Sequence, residues 1–208
     1  MKLRLDGVTV LYGRRAIFEN VTLRVPPRTI VGLIGPNGAG KTSLLRVGAG
    51  LIRPAIGTVV RDGRVMYFGG ESTLPDRCRA DRWARLFGTG TSSNRRLSKL
   101  SRGTRQLVGL SSVLTRDDWD IGLLDEPWEG LDPFGARWLT DLLRRHRNRG
   151  AAIVISSHRL HDAADVCSEF AFLSHGSLRT RPAHELAANA VTVAASDLAR
   201  AFDRYARR

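Results

Sequence analysis

One run, Gly35-Pro36-Asn37-Gly38-Ala39-Gly40-Lys41-Thr42, constrains this chain more than any other feature. It matches GxxxxGK[ST]. It follows an apolar stretch, Thr29 to Ile34, that reads as a buried strand, and it opens a helix from Lys41 that begins with Thr42 and Ser43. Strand, turn and helix in that order make the pattern a phosphate-binding loop. Glycines let the backbone curl so that successive N–H groups point at one phosphate, and the helix N-terminus adds its positive dipole end. Lys41 is expected to neutralise β- and γ-oxygens, and Thr42 to offer its hydroxyl to Mg²⁺. The loop alone leaves a kinase, a GTPase and a motor ATPase open.

A second run narrows the chemistry. Ile121-Gly122-Leu123-Leu124-Asp125-Glu126 supplies mostly apolar strand residues and then two carboxylates at the strand's C-terminal end, where parallel α/β sheets bind ligands. Adjacent strand residues point oppositely, so the pair can divide two tasks. Asp125 is expected to hold Mg²⁺ through water, and Glu126 to orient or deprotonate the attacking water.

The rest of the chain supplies a scaffold. Residues 3 to 25 alternate apolar and polar positions and read as half-buried antiparallel strands closed by Pro26-Pro27. Val59 to Phe68, with Asp62-Gly63 between two β-prone flanks, reads as a hairpin. Arg79 to Phe87 reads as a small helical insert with Trp83, Leu86 and Phe87 on one side. Then helix, strand (Ile121 to Leu124), helix (Phe134 to Arg147), strand (Ala151 to Ser156) and helix follow, which implies a parallel sheet covered on both faces. A terminal helix from Ser196 to Tyr205 turns Leu198, Phe202 and Tyr205 inward.

Composition excludes little. The 208 residues, 42% hydrophobic and 25% charged, suit one globular domain. No apolar run is long enough to span a bilayer and the start has no signal-peptide pattern, so a membrane role is expected to act through a partner. Cys78 and Cys167 form no CxxC pair and read as inert. A net charge of +13 favours anionic partners without choosing among nucleotide, nucleic acid and lipid headgroups.

The third motif brings a family into view. Leu100-Ser101-Arg102-Gly103-Thr104-Arg105-Gln106 resembles the LSGGQ signature of ABC cassettes, and the whole chain, 1–208, resembles a single ABC nucleotide-binding domain. Ser101 and Gly103 at a helix start offer a hydroxyl, backbone N–H groups and a dipole to an anion. The resemblance implies an α/β fold of the P-loop NTPase, RecA-like type: a parallel-sheet core, an N-terminal antiparallel β subdomain and a short helical subdomain at about 72–112. It implies that Tyr12 stacks on adenine, that Glu129-Gly130-Leu131-Asp132 is the D-loop with Asp132 at the nucleotide, and that His158 is the switch histidine. It also implies two cassettes, identical or different, sandwiching two ATP molecules so that Ser101 and Gly103 complete the opposing site.

Arg102 and Thr104 depart from the signature, and no glutamine stands in the Q-loop place. Glu71 is the nearest substitute as a metal and nucleotide contact, with Gly70 the alternative register. Compact cassettes of this kind resemble the ATP subunits of haem exporters and ABC-2-type exporters. The expected partner is a membrane-spanning subunit at the cytoplasmic face, with no direct nucleic-acid role. The competing readings are a soluble ABC-type ATPase acting on nucleic acid or ribosomes, and a degenerate cassette that binds ATP to regulate.

Overall fold

Strand β3 (Ile30–Ile34) is buried at every position, as its unbroken apolar sequence requires of a strand covered on both faces. It stands inside a six-stranded sheet of order β5-β6-β7-β3-β8-β9 in a computed structural model that describes residues 1–70, 96–187 and 192–206. Glu71, Cys78 and the expected insert with Trp83, Leu86 and Phe87 lie outside the described residues, as does most of the expected helical subdomain.

Strands β5 (Val65–Phe68), β6 (Ile121–Asp125) and β7 (Ala152–Ser156) run parallel to β3, as does β8 (Glu169–Ser174); only β9 (Ser177–Pro182) is antiparallel. The pair β8 and β9 was not anticipated. Phe170-Ala171-Phe172-Leu173 is a short apolar run, which periodicity alone cannot separate from a buried helical segment. Pairing with β3 makes it a strand and moves β3 away from the sheet edge.

Strands β1 (Leu3–Tyr12) and β2 (Arg15–Val25) are antiparallel, as expected, and β4 (Ile56–Arg61) completes their sheet on the other side of β1. The expected hairpin from Val59 to Phe68 is therefore corrected. Its first arm pairs with β1, through Leu5 opposite Val59, and its second pairs with β6, through Val65 opposite Ile121. Asp62-Gly63 carries the chain from one sheet to the other. Local turn chemistry favoured a hairpin, but two separate hydrophobic surfaces each claimed one arm.

The antiparallel sheet and helix α1 (Lys41–Ala49) pack on one face of the parallel sheet, burying Leu5, Val10, Leu44 and Leu45 against Val31 and Leu123. The opposite face carries α2 (Arg102–Leu114), α3 (Pro133–Asn148), α4 (Leu160–Val166), the short α5 (Ala183–Leu186) and α6 (Ala195–Ala206). Helix α3 shows why the residues comply. Asp132 Oδ1 caps it by accepting from Gly135 N at 2.7 Å, Pro133 pre-sets the first turn, and Ala136, Leu139, Leu143 and His146 bury one stripe. Each fully buried leucine there contributes about 1.5–3 kcal/mol of transfer free energy. In α6, Leu198 is buried and Phe202 and Tyr205 pack on the same core, as expected. Cys167 is buried and its thiol is pushed far above its ordinary range by desolvation, which fits an inert role.

Candidate functional site

The residues that follow β3, β6 and β7 reach the same edge of the parallel sheet, where the strand C-termini hand over to loops. The loop after β3 leads into α1 through Gly40, whose φ of 100° suits glycine and whose missing Cβ would lie 2.6 Å from Ile17 Cγ2. Gly40 provides no side-chain cap, so the first-turn N–H groups of α1 face the cleft with the dipole's positive end. The cleft measures about 560 Å³.

Lys41 is buried in this loop, its Nζ donating to the carbonyls of Gly35 (2.7 Å) and Pro36 (3.1 Å). Burial lowers its pKa, and the nearby carboxylates of Glu126 and Asp125 oppose that drop. Thr42 Oγ1 donates to Asp125 Oδ2 at 2.6 Å, while Ser156 Oγ donates to Asp125 Oδ1 at 2.5 Å. The Thr42 hydroxyl beside a carboxylate is an all-oxygen donor set, which fits Mg²⁺. Among the described residues no group of three or more His, Cys, Asp or Glu side chains could hold a metal, and a Mg²⁺ shared with substrate phosphates needs only one or two carboxylates.

Glu126 is held unusually. Its φ is 46°, a left-handed conformation that costs a non-glycine residue on the order of 1–3 kcal/mol unless its surroundings enforce it. Its N–H donates to Ser156 Oγ at 2.9 Å, its Oε2 accepts from His158 N at 3.0 Å, and its Oε1 lies 3.1 Å from His158 Nε2. That last approach is not an aligned hydrogen bond, and it leaves the buried Oε1 short of a donor. Desolvation raises the Glu126 pKa; His158, through its backbone N–H and its ring, and Lys41 oppose the rise, and Asp125 adds to it. A carboxylate with a raised pKa beside a chamber for phosphate is suited to take a proton from water.

Of the expected site residues, Tyr12, Asn37, Gly38, Gly40, Lys41, Thr42 and Ser43 line this cleft, joined by Asp125, Glu126 and His158. Tyr12 is 52% exposed at the end of β1, so its ring is accessible to a planar ligand. Pro36 and Ala39 face an adjoining groove with Asn37 and Gly38, and Gly35 packs against Leu173 O. Ser101, Gly103 and Asp132 do not line the cleft. Ser101 caps α2 by accepting from Thr104 N at 3.3 Å, and Asp132 caps α3. Gly103 presses on the D-loop backbone, where a Cβ would meet Gly130 O at 2.4 Å. Glu71 lies outside the described residues, but Gly69 and Gly70 directly before it line the cleft.

Several contributors escaped the sequence reading. Ser156 bridges Asp125 and Glu126, and Arg102 and Glu129 line the cleft while pairing at 2.6 Å. Gln106, 2% exposed, donates to Glu126 O (3.1 Å) and Pro127 O (3.0 Å). The only sequence signal for Ser156 was a serine ending an apolar strand, and Gln106 closed the signature-like run without a role assigned to it.

A family model described as ABC transporter matches residues 18–129. A cytochrome c biogenesis ATP-binding export protein of Sphingopyxis alaskensis is 35% identical over 174 residues, covering 75% of this chain and 89% of the relative. A zinc import ATP-binding protein of Paramagnetospirillum magneticum is 33% identical over 180 residues, covering 76% of this chain and 68% of the relative. The solved structure of an ATP-binding subunit of an ABC transporter superposes with a TM-score of 0.84 at 21% identity, covering 98% of this chain and 100% of the other.

Proposed function

The chain belongs to the ABC transporter family as an ATP-binding subunit that hydrolyses ATP, and from that premise we propose that it drives transport through a membrane-spanning subunit on a separate chain. The observation that carries this reading is the convergence of Lys41, the Thr42–Asp125 pair and the Glu126–His158 pair in one cleft. No helix among the described residues is long and apolar enough to cross a membrane, so the motor needs a partner for translocation. The working place is the cytoplasmic face of the membrane.

In the proposed reaction, Lys41 and the α1 N-terminus hold the β- and γ-phosphates, and Tyr12 carries the adenine. Bound Mg²⁺ would be held by Thr42 and, through water, Asp125, and would withdraw charge from the phosphate oxygens. Glu126 accepts a proton from the attacking water as its oxygen bonds to the γ-phosphorus. The bond from that phosphorus to the β,γ-bridging oxygen breaks, and ADP and phosphate leave. His158 keeps the Glu126 carboxylate aimed through its backbone N–H.

A second cassette, identical or different, completes each site. Ser101 and Gly103 stand outside this chain's own cleft, which supports their serving an opposing one. Export is the favoured direction, in line with the relative named for export, which matches over 89% of its own length, although relatives named for zinc import match as well. The soluble reading on nucleic acid or ribosomes is not favoured, since these relatives are named as transport subunits. The test is phosphate release by the purified full chain with and without its membrane subunit, identified by co-purification. Absence of ATP hydrolysis in both preparations would refute the motor reading.

A further inference from the structure

The loop that carries Glu126 is gripped from two sides by side chains whose hydrogen bonds go to neither phosphate loop nor metal donors, although Gln106 also lines the cleft. From α2, Gln106 Nε2 donates to the carbonyls of Glu126 and Pro127 at 3.1 and 3.0 Å. From the start of α4, Arg159 Nη1 donates to the carbonyls of Trp128 and Leu131 at 2.8 and 3.3 Å, while its Nε pairs with Asp162 Oδ2 at 2.6 Å. Four carbonyls between residues 126 and 131 thus accept from two side chains, and those of Glu126 and Trp128 accept as well from the N–H groups of Glu129 and Leu131.

We propose that Gln106 and Arg159 are positioning residues that clamp the Glu126–Leu131 loop, and that Gln106 makes the aim of Glu126 depend on the placement of the signature helix.

The first support is the backbone of Glu126, whose φ of 46° persists only where neighbours over-determine it. Ser156 and His158 hold its N–H and its carboxylate. Gln106 holds its carbonyl, the third handle on the same residue. The second support is the chemistry of the grip. A buried amide nitrogen has two hydrogens to give, and both carbonyls it serves would lose a partner together, leaving the Glu126 carbonyl with only the Glu129 N–H at 3.1 Å. The third is connectivity. Arg159 directly follows His158, whose N–H caps the Glu126 carboxylate, so fixing Arg159 to Trp128 O and Asp162 also fixes that cap. At the other end, α2 begins at Ser101 and Arg102, and Arg102 pairs with Glu129 inside the clamped loop. A shift of α2 is therefore transmitted to the loop by two independent contacts.

This inference rests on Glu126 being the base. The experiment compares full-length wild type with Gln106→Met, Arg159→Met and Arg159→Lys, each alone and with Glu126→Gln. It measures kcat and KM for ATP, and the Kd of the imido analogue of ATP. Both methionine variants are expected to lower kcat about tenfold to a hundredfold, with KM and Kd changed less than about twofold. Arg159→Lys, retaining a donor and the charge facing Asp162, is expected to recover part of the loss. In the Glu126→Gln background neither variant should lower the residual rate further, because the aimed group is gone. Unchanged kcat in both variants, KM and Kd rising in step with the loss, or the same proportional loss without Glu126 would each overturn the clamp. Should Gln106→Met not fold, the half-exposed Arg159 decides by the same criteria. A wild type whose hydrolysis does not depend on Glu126 removes the assigned base itself, an outcome distinct from a working base that ignores Gln106.

Discussion

Thr42 Oγ1 donates to Asp125 Oδ2 across 2.6 Å, joining the first turn of α1 to the end of β6 although the two residues lie 83 positions apart. The contact sets a hydroxyl and a carboxylate side by side as oxygen donors for one cation. Asp125→Asn and Thr42→Ala are each expected to raise the Mg²⁺ concentration needed for half-maximal hydrolysis at least about tenfold. Chelation with EDTA should abolish the wild-type rate. Rates measured across a Mg²⁺ titration check this, and an unshifted titration in both variants would remove the cation from this pair.

Glu126→Gln should retain binding of the ATP imido analogue while hydrolysing ATP about 10²- to 10³-fold more slowly. Burial raises the Glu126 pKa above its ordinary 4.5, so the acidic limb of the wild-type rate should lie above the ordinary carboxylate range. The same shift acts on stability. The folded state binds this proton more tightly than the unfolded state, so the contribution is present below the unfolded pKa and lost as pH rises through the folded one. Glu126→Gln should therefore melt higher than wild type near neutral pH, with the gap narrowing as pH falls towards 4.5. Thermal melts at both pH values test this; a gap that widens on acidification would contradict the shift.

If Ser101 and Gly103 serve an opposing site, chains altered only at Ser101 and chains altered only at Lys41 should complement one another. Random pairing in a two-fold dimer leaves about a quarter of the sites intact, so an equimolar mixture should regain up to about a quarter of the wild-type rate. Activity should also rise more than linearly with protein concentration at low concentration. A mixture no more active than its components, together with strictly linear activity from a monomer, would rule out the shared site.

Glu71 follows Gly70, whose added Cβ would lie 3.9 Å from Asp125 O, so the chain passes close to the acidic pair just before Glu71. Two like charges about 6 Å apart repel by roughly 3 kcal/mol at an effective dielectric near 20, and solvent reduces this. Glu71→Gln is expected to raise the basal rate of the isolated subunit about tenfold at saturating ATP and Mg²⁺. Glu71→Ala should raise it less, because alanine relieves repulsion without restoring an amide ligand. An unchanged or slower Glu71→Gln variant would mean that Glu71 either stays clear of the nucleotide or already serves as an adequate ligand.

The sequence by itself determined the phosphate loop, the acidic pair, the antiparallel start and the alternation of strands and helices. These are local: consecutive glycines, one lysine on the following helix and an apolar run ending in two carboxylates each act within a few residues, where spacing dictates geometry. Tertiary structure decided what distant segments do to one another. It divided the expected hairpin at Asp62-Gly63 between two sheets, made Phe170 to Leu173 a strand by pairing it with β3, and turned Ser101 and Asp132 into helix caps. It also gathered Ser156, His158 and Gln106 around a strained Glu126. Those contacts join residues 20 to 32 positions apart, and no local propensity encodes them. They exist because packing α2 on the sheet in which β7 lies beside β6 leaves buried donors and acceptors that must find one another.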